Sequence, residues 1–302
     1  MKPVNRSRLT RNWFRAMTLC LTFGFVTQLG HSFQNQDASG QQNVPLKETL
    51  SAPATPTRPA MEEFLLKAKI VSQRPLSLGV TNSRRATLDD GGLKHDAHIQ
   101  TVDISKTSFQ TDRGTEFNFR DCYKYNMAAY ELDKLLDLNM VPVSVERKVG
   151  GNLAAVTWWV NDSMLELDRK KRKMEPPDQH LWNQQMYLCR VFDQLIYNTD
   201  RNLGNLLVTK DWKILMIDHT RAFRTMKELK SPKDLVQCDR KLLAKLRELN
   251  REALELKLGH YLTKMEIDGL LSRRDRILKF FDEQVAQKGE GAVLFDLDRR
   301  DR

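Results

Sequence analysis

Asp200, Asn205 and Asp218 are oxygen-bearing side chains, the first two in the polar stretch Asn198-Thr-Asp-Arg-Asn-Leu-Gly-Asn205 and the third at the end of an apolar run. Hard oxygen ligands of this kind suit magnesium or manganese, and magnesium takes only one or two groups from protein, leaving the rest to phosphate and water. A further carboxylate beside such an ion can orient or deprotonate a hydroxyl. The chemistry implied is metal-assisted phosphoryl transfer; the plainer alternative is a set of turn residues bonding locally, as Asp and Asn often do. A calcium loop fits less well. Asp200, Asn202 and Asp211 have ligand-like offsets, but Gly204 comes too early for the turn and the bidentate Glu is absent.

These side chains need elements to hold them. The apolar runs Leu206–Thr209 and Ile214–Ile217 flank Lys210-Asp-Trp-Lys213 and predict a hairpin. Pairing Thr209 with Ile214 and Leu206 with Ile217 sets Asn205 opposite Asp218 where the strands end. Leu188, Val191, Phe192, Leu195 and Ile196 recur at helical spacing, so a core-facing helix over 181–197 delivers the chain to Asp200.

Asp200-Arg-Asn-Leu-Gly-Asn205 with Ile217-Asp218-His219 resembles the D-R-H/N-x-x-N and I-D signatures of atypical kinases. These include the phosphatidylinositol 3/4-kinase-like, HipA-like and secretory-pathway casein kinase and four-jointed groups. Tyr125-Asn-Met-Ala-Ala-Tyr-Glu-Leu-Asp-Lys-Leu-Leu136 is similar to the E-x-A-A-F/Y-x-L-D-x-L-L helix of the secretory kinases. The resemblance implies an α+β, two-lobed fold with a small β-rich N-lobe and a mainly helical C-lobe. It implies ATP with Mg or Mn, Asn205 and Asp218 as metal ligands, and Asp200 as the residue that orients the acceptor. Gly79 would lie in the turn covering the phosphates.

Two departures bear on the nucleotide. Gln100 stands where the family has a phosphate-pairing Lys, and Asn126 stands where its Glu partner belongs. Losing both avoids an unpaired charge and leaves two amides able to bond each other, but removes a positive phosphate contact. Arg84, Arg85 and Lys124 are close enough in sequence to supply a charge. Asn202 replaces the common His, and His219-Thr220 replaces the Phe-Gly that follows Asp in many kinases. The leading expectation is an exported phosphotransferase acting on a protein, carbohydrate or other hydroxyl compound. The alternative is a kinase-fold binding module without efficient catalysis, and nucleotide transfer is a third outcome of the same cleft.

At 302 residues and 40% hydrophobic content the chain can bury a substantial core. Its net charge of +10 is uneven: the first 60 residues carry seven basic and two acidic side chains, half of the excess. No groove-reading helix, finger or sheet motif accompanies it, so no nucleic-acid partner is expected. Basic residues Lys2 to Arg15 precede an apolar run over 16–30, which reads as an export signal or uncleaved anchor over 1–31. A polar stretch over 32–60 reads as a flexible linker, and 61–302 as the kinase-like domain, with lobes over about 61–160 and 161–302. Of four cysteines, Cys122, Cys189 and Cys238 would remain after signal cleavage, an odd and sparse set that describes no disulfide framework, and Cys189 falls on an apolar helix face. Trp158 and Trp159 read as packing residues near the adenine side, Arg169-Lys-Lys-Arg-Lys173 as a solvated loop, and Ser231-Pro232 as a helix start. Thr263-Lys-Met-Glu266 has capping-box spacing.

Overall fold

A computed structural model describes residues 56–76, 83–111 and 114–298. The segment read as an export signal, nearly all of the expected linker, and Gly79 lie outside the described residues. Among the described residues no helix is long and apolar enough to cross a membrane.

The folded region starts earlier than Met61. Helix α1 (Arg58–Lys67) opens with Thr57 as its N-cap, so the last linker residues belong to the fold. The Arg58 guanidinium bonds the carboxylate of the fully buried Asp133 at 2.9 and 3.0 Å and the Val141 carbonyl at 2.7 Å. Strands β1 (Lys69–Pro75), β2 (Arg84–Asp89) and β3 (Lys94–Gln100) follow, joined to β6 (Ser144–Val149) and β7 (Asn152–Trp158) in one antiparallel sheet ordered β1-β2-β3-β7-β6. Gly150 and Gly151, both at positive φ, make the tight turn between β6 and β7.

Strand alternation sorts this sheet into two faces. Ala86, Leu88, Ala97, Ile99, Ala154 and Val156 are buried in one core cluster with Phe64 and Leu65 of α1. The other face carries Arg85, Thr87, Asp96, His98 and Gln100. Helix α2 (Lys124–Leu135) packs on this side, with Tyr123 and Met127 against Ala155. Trp158 is a packing residue, stacked on His95 at 3.7 Å and edge-on to Phe64 at 5.7 Å. Between β3 and α2 lies a hairpin of β4 (Asp103–Thr111) and β5 (Gly114–Cys122).

The second half is mostly helical. A short strand β8 (Ser163–Leu165) leads into α3 (Glu166–Lys171), so the basic run is partly helix rather than a solvated loop. Arg169 is buried, bonded through Nε and Nη2 to Glu166 at 2.6 and 2.9 Å and lying over Trp182. Helix α4 (Gln179–Leu195) buries Leu188, Cys189, Val191, Phe192 and Leu195. Strands β9 (Leu206–Thr209) and β10 (Ile214–Met216) pair next, with β8 beside β9. Ser231-Pro232 opens only a 3-10 turn; β11 (Cys238–Asp239) leads into α5 (Arg240–Glu248) instead. Helices α6 (Arg251–Leu258) and α7 (Lys264–Lys288) follow, α7 starting with a complete Thr263–Glu266 capping box. Beyond α8 (Glu290–Val293), β12 (Leu294–Phe295) runs parallel to β11. Cys122, Cys189 and Cys238 are buried and are not joined in disulfides among the described residues.

Candidate active site

The β9–β10 hairpin differs from the expected register by one residue. Ile214 pairs with Val208 and Met216 with Leu206, because the loop closes at Lys213, whose carbonyl accepts from Thr209 N at 3.0 Å. Trp212 takes φ +60° and completes a three-residue loop. Asn205 therefore faces Ile217, whose N–H donates to the Asn205 carbonyl at 3.1 Å, and Asp218 follows just past the last pair. Asp218 has φ +53°, a left-handed conformation that is uncommon for a residue with a side chain.

Around this mouth the polar side chains are oriented by bonds that leave specific oxygens available. Asn205 Nδ2 donates to the Asp200 carbonyl at 2.9 Å, which directs its Oδ1 away from that bond. Thr220 Oγ1 donates to Asp218 Oδ1 at 3.0 Å. The Asp200 N–H donates to Asn198 Oδ1 at 3.0 Å, and its side chain is 41% exposed, with Oδ1 3.6 Å from Arg221 Nη1.

Arg201 fixes the loop from behind. Its Nε binds Asp193 on α4 at 2.9 Å, Nη1 donates to the carbonyls of Asn205 and Ile217, and Nη2 donates to His219 Nε2 at 3.0 Å. His219 is buried, so its Nε2 is an acceptor and the ring is neutral; burial first, then the Arg201 charge, lowers its pKa well below the usual value.

On the roof, Gln100 and Asn126 meet. Asn126 Nδ2 donates to Gln100 Oε1 at 2.7 Å, and Asn126 Oδ1 accepts from the His219 N–H at 2.8 Å. This neutral amide pair, at the two positions where the resemblance leads one to expect an ion pair, ties α2 to the residue after Asp218. His98, two residues before Gln100 on the same face, feels burial, which lowers its pKa, and the Asp218 charge, which raises it. Arg85 is engaged with Asp96 at 2.6 Å and lies over Trp159 at 4.1 Å, while Arg84, one residue earlier, falls on the opposite face. Lys124 begins α2 at an intermediate exposure.

Sequence reasoning missed Asp121 and Arg221. Asp121, at the end of β5, is 5% exposed, and its Oδ1 has no hydrogen-bond partner among the described residues. Burial raises its pKa; Thr220 and Arg221 oppose the rise, and the charges of Asp218 and Asp200 add to it. The β4–β5 hairpin that carries it does have a sequence signal, alternating residues on either side of Thr111-Asp-Arg-Gly114.

The donor set fits a nucleotide-borne divalent cation: one amide oxygen and one carboxylate, both hard, at a loop edge. Among the described residues no group of three or more His, Cys, Asp or Glu forms a metal cage. Phosphate would have to supply the remaining coordination.

No protein-family model matches this sequence, and no curated protein matches it. Solved structures do. The chain is similar to a Fam20 protein of hydra solved with sugar, at 13% identity and TM-score 0.60, over 78% of this chain and 91% of that one. It is similar to a Golgi casein kinase at 13% identity and TM-score 0.56, over 80% and 79% of the two chains. A Golgi casein kinase structure with Mn and ADP gives TM-score 0.55 at 13% identity, over 80% of each chain. At such identities likeness speaks for architecture alone, and the chain has the two-lobed α+β fold of the atypical kinase-like proteins.

Proposed function

We propose that this protein is an exported phosphotransferase that moves the terminal phosphoryl group of ATP to a hydroxyl acceptor. The observation that carries the reading is the convergence of Asp200, Asn205 and Asp218 on one mouth, with Asn205 Nδ2 bonded to the Asp200 carbonyl and Asp218 one residue beyond the strand pairing. Mg or Mn bound with ATP would supply charge neutralisation for the transferring group. Asn205 Oδ1 and Asp218 would hold that ion. Asp200, exposed and backed by Asn198, would accept the hydroxyl proton as the acceptor oxygen bonds to phosphorus. Gln100 and Asn126 would bound the phosphate side without a charge, and the Gly79 turn would cover it. The relatives' names point to sugars or protein side chains as acceptors, and the basic, apolar N-terminus to export.

Calorimetry of ATP against the full chain, with magnesium, manganese or chelator, tests the site, with Asp218→Ala as the control. Metal-dependent binding lost in that variant supports the reading; binding that survives unchanged overturns it. Intact mass of sugar and protein acceptors after reaction separates phosphate from nucleotide addition.

The neutral Gln100–Asn126 pair favours a second reading, a binding module on the same fold. It predicts nucleotide binding with no transfer to any acceptor tried.

A further inference from the structure

Arg221, three residues after Asp218, has a guanidinium with hydrogen-bonding directions left over. Its Nη1 is 3.6 Å from Asp200 Oδ1 and its Nε is 3.6 Å from Asp121 Oδ2, both beyond good hydrogen-bond length. The Nε is buried and has no hydrogen-bond partner among the described residues. Phe119 lies beneath the guanidinium at 4.8 Å and Phe109 at 5.7 Å. Charge and ring contact hold the group, whose ion pairs with the two carboxylates, at 3.6 Å each, are longer than charge-assisted hydrogen bonds.

The backbone at this position is anchored independently. The Arg221 carbonyl accepts from Thr199 N at 3.2 Å and from Thr199 Oγ1 at 2.9 Å, so the chain path does not depend on the side chain. The buried Asp121, with its orphan Oδ1, supplies a fixed counter-charge on one side, and Asp200 stands on the other. Among the described residues the roof presents the neutral Gln100–Asn126 amides beside His98, and Arg85 is committed to Asp96. A planar fork beside the residue that meets the acceptor matches the geometry of phosphate oxygens, which guanidinium groups bind in pairs.

We propose that Arg221 is the phosphate-facing cation of this cleft, binding the terminal phosphoryl oxygens of the nucleotide beside Asp200, with Asp121 holding it in place. This rests on the phosphotransfer reading of the same site. As the acceptor oxygen bonds to phosphorus, the bond from phosphorus to the bridging oxygen breaks and its electron pair leaves with the nucleoside diphosphate. The hydroxyl proton goes to Asp200. Arg221 gives up no proton; its donors stay on the non-bridging oxygens throughout. The lost lysine charge is thus replaced from the floor of the cleft rather than the roof.

The test compares ATP with ADP, each with magnesium, in calorimetry of the full chain. Arg221→Ala should weaken ATP binding about 10- to 100-fold, the loss expected for charge-assisted hydrogen bonds, and leave ADP within about twofold. Arg221→Lys should recover part of the ATP affinity, and guanidinium ion added at millimolar concentration to Arg221→Ala should do the same. Asp121→Asn should shift ATP in the same direction by less. Equal losses for ATP and ADP, or none, in variants that melt with the wild type overturn the inference and leave the phosphotransfer reading standing. Wild type that binds neither nucleotide removes both.

Discussion

Restoring the charged pair on the roof should show how closed that site is. Gln100 is 1% exposed and Asn126 is 7% exposed, with their side chains 2.7 Å apart. Gln100→Lys alone puts an ammonium beside an amide with no anion, and Asn126→Glu alone puts a carboxylate beside Gln100. An uncompensated buried charge costs about 3–5 kcal/mol, so each single variant should lose about that much stability. The double variant should regain most of it, giving a coupling of roughly 3 kcal/mol, because the two charges now satisfy each other. The Glu oxygen can still accept from the His219 N–H, which keeps α2 tied to the residue after Asp218. The assay is a urea double-mutant cycle on the four proteins, read at constant m-value. The double variant should also bind ATP about tenfold or more tightly than wild type through the added phosphate contact. Additive single losses would refute the closed-pair reasoning, as would a Gln100→Lys protein as stable as wild type.

Three further outcomes follow from the described contacts. Removing Arg58, by Arg58→Ala or by starting the chain at Met61, leaves the buried Asp133 without its cation and should cost about 3 kcal/mol in urea unfolding; Asp133→Asn in the Arg58→Ala protein should recover part of it. His219 stays neutral when folded and titrates near 6.5 when unfolded, so below that pH the unfolded chain binds a proton that the folded chain does not. Its stability contribution is complete well above pH 6.5 and falls as the pH drops below that value, a slope that His219→Gln should remove in unfolding curves at about pH 7 and about pH 5. Arg201→Met should uncouple the Asp200 loop from Asp193 and from the hairpin carbonyls, lowering stability by about 3 kcal/mol and abolishing metal-dependent ATP binding together; an Arg201→Met protein that binds ATP normally would contradict the bracket role.

Local chemistry made much of this architecture readable. The apolar runs around Lys210–Lys213 announced the hairpin, the helical spacing at Leu188–Leu195 announced α4, and Thr263 with Glu266 announced the start of α7. Gln100 and Asn126 could be placed side by side before any coordinates because each departed from a pattern at linked positions. The one-residue register shift was not legible. It depends on Trp212 accepting a left-handed backbone conformation, for which the sequence gives no glycine or asparagine signal. Arg169 reads as one charge in a basic run, and only three-dimensional packing shows it turned inward onto Glu166 and Trp182. Asp121 and Arg221 are a hundred residues apart, and a pairing of that range leaves no mark on either neighbourhood.

The sequence separations of these contacts imply an order of assembly. Arg201 reaches partners 8, 16 and 18 residues away, whereas Asn126 reaches the His219 N–H across 93 residues. Closing the longer loop costs about 2 kcal/mol more in chain entropy than closing the shortest. The Arg201 contacts that brace the loop and hairpin are of short range, the kind that is made early in folding. The amide bridge from α2 is then the late step, and slow refolding should register there first. Chains caught before it would hold a formed Asp200 loop and an unfinished roof, so nucleotide, by bridging both, would draw them forward to the completed fold.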